Sequence, residues 1–177
     1  MLEPLFAQSL PHFDGIYWLN LASRVLHILS AIVLVGGLFY LRMIVAPRVA
    51  TKSKGTAADA WFAGNRAAWA KWVGITTTLL LVTGLYNFIT IVKTYQLNTS
   101  YHMLVGLKIL LALVVFFFAA VLAGRSGLAE RFRENMKLWL SVCLVTAILV
   151  VIIGSVMRSY PREPKPTTGP ALVAPSN

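Results

Sequence analysis

The sequence predicts an all-α integral membrane protein, a four-helix bundle with both termini on the outer side. Three observations carry this prediction. Of the 177 residues, 58% are hydrophobic and only 12% are charged, against about 25% charged in soluble domains. The apolar residues gather in four blocks, each near the roughly 20 residues that a helix needs to cross a bilayer. The basic residues are distributed unevenly between the connections. Arg42, Arg48, Lys52, Lys54, Arg66 and Lys71 crowd the first connection and its edges, and Arg125, Arg131, Arg133 and Lys137 crowd the third. The N-terminal segment carries no Lys or Arg before Arg24, and the second connection carries only Lys93. Basic loops stay in the cytoplasm, which places connections one and three there. Arg158, Arg162 and Lys165 pull the C-terminus weakly the other way and are outvoted.

Residues 1–22 form an external lead-in. Pro4, Pro11, Asp14 and Gly15 keep it irregular, Tyr17 and Trp18 sit where an aromatic belt lies, and no basic residue opens it as a secretory leader requires. Residues 23–158 make the four-span domain, with spans at about 25–45, 72–92, 103–123 and 138–157. Between the first two, "TAADAWFAGNRAAWAKW" offers Thr56 as an N-cap and helical spacing of Ala and Trp, so the second helix begins in the cytoplasm. The third connection, "GRSGLAERFREN", is short and mixed in charge, which suits an antiparallel return. In the third span, Phe116, Phe117 and Phe118 read as lipid-facing filling, and in the fourth Cys143 reads as a small core residue. Residues 159–177, rich in Pro and polar side chains, are expected to be a disordered tail.

Small residues mark where helices approach. His27, Ser30, Leu34, Gly37 and Leu41 share one face of the first helix; Gly74, Thr77, Leu81 and Gly84 share one face of the second. Such seams pack membrane helices together, so His27 is expected to point into the bundle.

The chemistry is bounded first by what is missing. The six acids, Glu3, Asp14, Asp59, Glu130, Glu134 and Glu163, all fall outside the spans. That weakens a proton-coupled transporter. No paired carboxylates, HExxH, CxxC, phosphate loop or nucleophile elbow is present, and the net charge of +10 is arranged for a membrane, not for nucleic acid. What remains is basic and aromatic. Arg24, His27, Lys93, His102, Lys108 and Arg158 all belong to the outer half of the bundle, without acids near them in sequence. Cations in a membrane call for an anion. Lipid phosphates serve for Arg24, Lys93 and Arg158. A haem brings propionates for Arg24 or Lys108 and an iron for His27 and His102. Copper is the competing metal, with His27, His102, Met103 and Met157 as donors, although Arg24 and Lys108 repel a cation. If helix one starts near Trp18, His27 lies about 10 Å deeper at 1.5 Å per residue, and the two imidazoles no longer share one iron easily.

The stretch "RVLHILSAIVLVGGLFYLR" resembles the first helix of the HemJ-type protoporphyrinogen oxidases, with Arg24 three residues before His27 and Gly37 to Leu41 beginning ten after it. "TTTLLLVTGLYNF" is similar to that family's second helix. "GLKILLALVVFFFAAVLAGR" looks like the third helix of the CopD-like copper-resistance membrane domains, with Lys108 and Arg125 at matching places. The resemblance covers about 24–157. It implies a b-type haem with His27 as leading axial ligand. Where the HemJ-type third helix carries Trp-x-His-x-Lys, aligning its Lys with Lys108 puts Gly106 at the His, and His102 stands one turn earlier, about 40° away. Leu34 replaces a Trp in helix one.

The expectation is therefore a multi-pass plasma (inner) membrane protein holding haem b, with His27 and His102 on the iron and Arg24 and Lys108 on anionic groups. It would perform electron transfer or oxidation, with a porphyrin or the quinone pool as partner. A CopD-like copper binder or transporter and a structural subunit are the alternatives, and association with itself or a larger complex is expected.

Overall fold

Asp14 starts the first helix. Its carboxylate accepts a hydrogen bond from the Tyr17 N–H at 2.8 Å, satisfying one of the donors that a helix start leaves open. The structure, a computed structural model, describes residues 14–49, 57–124, 126–161 and 163–165. Helix α1 runs over Gly15–Tyr40, continues through one π-helical turn at Leu41–Val45, and ends in the short α2, Ala46–Val49. It thus begins about ten residues before the apolar block that suggested it, because the Asp14 cap and the aromatic residues at 17 and 18 extend the helix outward. The extra residue of the π turn lets Leu41, Val45 and Ala46 all face the interior. The Nε of Arg42 donates to Ser141 Oγ across the bundle at 2.5 Å, beside that turn.

Helix α3 spans Ala57–Thr94, 38 residues or about 57 Å at 1.5 Å per residue. That is well beyond the ~30 Å hydrocarbon core, so its first turns project out of the bilayer. This agrees with the helical start read from the sequence; Thr56 itself lies outside the described residues. Helix α4 covers Thr99–Ala123 and is capped by Asn98, whose side chain accepts from Tyr101 N–H at 2.9 Å. Helix α6 covers Met136–Arg158. The third connection is not a plain loop. Gly127–Glu134 folds as an eight-residue helix α5, because Ala129 is fully buried and Phe132 packs against Trp139 at 4.6 Å between ring centres. Phe118 stacks on the same Trp139 at 5.1 Å and Phe116 packs on the core. Within the aromatic run only Phe117 is left exposed.

Four helices are long and apolar enough to cross a membrane: Gly15–Arg48, Ala63–Thr94, Thr99–Ala123 and Met136–Arg158. Their order in space is cyclic. α1 packs along α3, α3 on α4, α4 along α6, and α6 returns to α1. Large apolar side chains such as Ile28, Ile32, Val82 and Leu110 stand exposed around the outside, where only lipid can cover them. The protein is an all-α, multi-pass membrane bundle.

The α1 seam has the expected face, with Ser30, Leu34 and Leu41 buried and Leu38 joining them. The α3 seam is displaced by one residue. Val73, Thr76 and Thr83 are buried, while Gly74 and Leu81 are exposed. Two apolar clusters result. The larger, at the end bearing connections one and three, unites Leu34, Leu38, Val73, Val115, Leu140 and Cys143; the smaller, at the opposite end, is Tyr101, Val105 and Met157 with Phe88 and Ile91 against them.

The start of the tail is held rather than loose. Residues Glu163–Pro164 pair antiparallel with Tyr95–Gln96, and the Lys165 N–H donates to Thr94 C=O at 3.1 Å. The tail from 166 onward and the lead-in before 14 lie outside the described residues.

Candidate functional site

Between the two apolar clusters lies a polar layer. His27 occupies it from α1, twelve residues or about 18 Å from the helix start. Its Nδ1 lies 2.9 Å from Thr83 Oγ1 on α3. The Thr83 hydroxyl has a single proton, and it is donated to the Leu79 carbonyl one turn back. The Thr83 oxygen must then accept, so the proton between the two residues belongs to His27 Nδ1. The ring edge turned to α3 agrees: a Cβ on Gly84 would meet His27 Cε1 at 3.1 Å and Nδ1 at 3.6 Å. Gly84 is what lets the imidazole lie against α3. The Leu80 carbonyl, also on α3, is a second hydrogen-bond partner of the ring. A neutral imidazole oriented by hydrogen bonds of this kind is the form in which histidine binds metal.

Lys108 joins the layer from α4, three residues inward of the buried Val105. It is half-buried. Its Nζ rests on the α6 backbone, where a Cβ on Gly154 would meet it at 3.3 Å. Among the described residues no carboxylate or hydrogen-bond acceptor is paired with it. One turn outward from His27, the buried Ser23 Oγ also has no partner. Among the described residues, an unpaired ammonium and an orphan hydroxyl thus share the polar layer with the imidazole.

The remaining sequence candidates fall elsewhere. Arg24 is exposed, one turn outward of His27. His102 is exposed on α4, edge-on to Tyr101. Six residues from Lys108, it sits about 120° around the helix from it. His27 turns to α3 and Lys108 to α6 within the bundle, and His102 is left out. Met103 is 72% exposed, whereas Met157 is buried with Tyr101 and Val105. The four donors named for copper therefore lie on separate surfaces. Among the described residues no three His, Cys, Asp or Glu side chains cluster as a metal site.

No family model, curated protein or solved structure matches the chain. The site thus stands on its own geometry. Thr83 and the two glycines were the residues that sequence reading missed as partners. Gly84 had signalled a close helix approach, but nothing local links position 83 to position 27, 56 residues away.

Proposed function

We propose that the chain is a membrane haem b protein in which His27 supplies the axial imidazole from the bundle interior. The observation that carries this reading is an imidazole inside the bundle, oriented on α3 by its contact with Thr83. The residues present fit one axial imidazole better than two, since His102 is exposed on another face. A haem bound there supplies a one-electron iron couple. Thr83 holds the ligand ring in place. Gly84 allows the ring to approach α3, and the Lys108 ammonium would pair with a carboxylate that no residue of the spans provides. Ser23 Oγ offers a further donor in the same layer. The activity that follows is electron transfer or substrate oxidation within the membrane, with a porphyrinogen and the quinone pool as the reactants suggested by the helix-one resemblance.

The test is a visible spectrum of the protein purified in detergent. A Soret band is expected in the wild type, absent from His27→Ala, and kept in His102→Ala. A colourless wild-type preparation that takes up copper would transfer the site to a copper-handling role. Colour that survives His27→Ala would remove His27 from the iron.

A further inference from the structure

At the opposite end of the bundle from Tyr101, the C-terminal turns of α1 and the early turns of α3 enclose a cavity of about 210 Å³. Three indoles, Trp61, Trp69 and Trp72, line it together with Tyr40. Trp69 lies directly on α1 at Gly37, where any Cβ would overlap its ring. Trp61 and Trp72 are about half exposed, at 50% and 56%. Arg66 lies among them, and its Nε is sealed from solvent without an acceptor among the described residues. A guanidinium N–H placed in an aromatic pocket and left unpaired is costly, and the group that would satisfy it is an oxyanion.

The position of the cavity narrows the choice. The apolar stretch of α3 begins at Ala63, so Asn65, Arg66 and Trp69 stand where the helix leaves the hydrocarbon. Trp and Tyr favour that level, and the headgroup phosphates lie there. Among the described residues no acid lines the cavity, while Arg42, Arg48 and Lys71 surround it in sequence and add positive charge to the same end. A positively charged end of this kind attracts an anionic leaflet. The volume is below the roughly 300–1,000 Å³ of a site for a drug-sized ligand. It suits a phosphate and the glycerol beside it, with acyl chains running out along the exposed Trp72 face, and is too small for a tetrapyrrole.

We propose that this cavity is a specific site for an anionic phospholipid, whose phosphate pairs with the Arg66 guanidinium between Trp61, Trp69 and Trp72. This inference is independent of any cofactor at His27.

The test uses the full chain in neutral detergent, offered phosphatidylglycerol and phosphatidylcholine in equal amounts, with bound lipid read by native mass spectrometry. The wild type is expected to retain one phosphatidylglycerol in preference. Arg66→Gln should lower that preference about five-fold, the worth of one cation at an anionic headgroup. Because Arg66 Nε has no hydrogen-bond partner among the described residues, helicity should be unchanged in this variant. Arg66→Lys, which keeps the charge but loses the guanidinium fork, should lose at least half of the preference. Lys93→Gln, on the other end of α3, should lose none. Undiminished preference in Arg66→Gln or Arg66→Lys, or an equal loss in Lys93→Gln, overturns the proposal. Displacement of the lipid by millimolar inorganic phosphate also overturns it, in favour of a free-phosphate site.

Discussion

The Thr83 hydroxyl shows how one side chain can set the chemistry of another. By donating to Leu79 C=O it becomes an acceptor towards His27, and the imidazole is oriented as a result. Thr83→Val removes the acceptor at nearly constant volume. The expected cost is about 0.5–1 kcal/mol, the usual worth of one such bond between membrane helices, and thermal unfolding in detergent measures it. Thr83→Ser should restore most of the loss. Gly84→Ala puts a methyl 3.1 Å from His27 Cε1, so the ring must give by a few tenths of an ångström. Its expected signature is a smaller and shifted Soret band with unchanged helicity. A spectrum identical to wild type in both Thr83→Val and Gly84→Ala would separate these residues from the iron ligand. Sequence reading reached His27 and Lys108 because an imidazole and an ammonium inside apolar helices are conspicuous. It could not reach Gly154, an ordinary glycine in a span until Lys108 is seen lying on it.

Helices were legible where their signals are local. Asp14, Asn98 and the Ala- and Trp-rich start of α3 all announce helix starts within a few residues. Apolar length alone set the first boundary too far inward, because a cap and two aromatics prolong α1 without raising its hydrophobicity. Asp14→Ala should fray that first turn and cost about 1 kcal/mol, seen as faster amide exchange at Tyr17 and Trp18. The α3 seam was misplaced by one position because small residues occur on both its faces. Only contact with α1 decides between Thr83 and Gly84, and in fact both serve. At the other end of the pair, Gly37→Ala drives a Cβ into the Trp69 ring. Overpacking of this kind costs about 1–3 kcal/mol, and the displaced indole should shift the tryptophan emission.

At the scale of the molecule, four apolar blocks and short connections led directly to the bundle. The cyclic order of helices follows from antiparallel neighbours joined in sequence. Two features were not legible. The third connection folds as α5 through its contact with Phe118 and Trp139, and the tail is caught by Tyr95–Gln96; both depend on partners distant in the chain. The distribution of Lys and Arg predicts that Gln96 faces outside and Ser126 inside. In a Cys143→Ala background, an impermeant thiol reagent applied to intact cells should label Gln96→Cys and spare Ser126→Cys. The reverse pattern would invert the bundle.

The layered interior has a further consequence. Apolar packing is strong at both ends and interrupted between them by hydroxyls, an imidazole and an ammonium. Such a waist is the least cohesive level of the molecule. Helices α1 and α3 are tied at that level by His27 and Thr83, so an opening would fall at the looser α1–α6 or α3–α4 seam. A flat guest dissolved in the membrane would then slip in sideways from the acyl chains, with no need for a doorway to water.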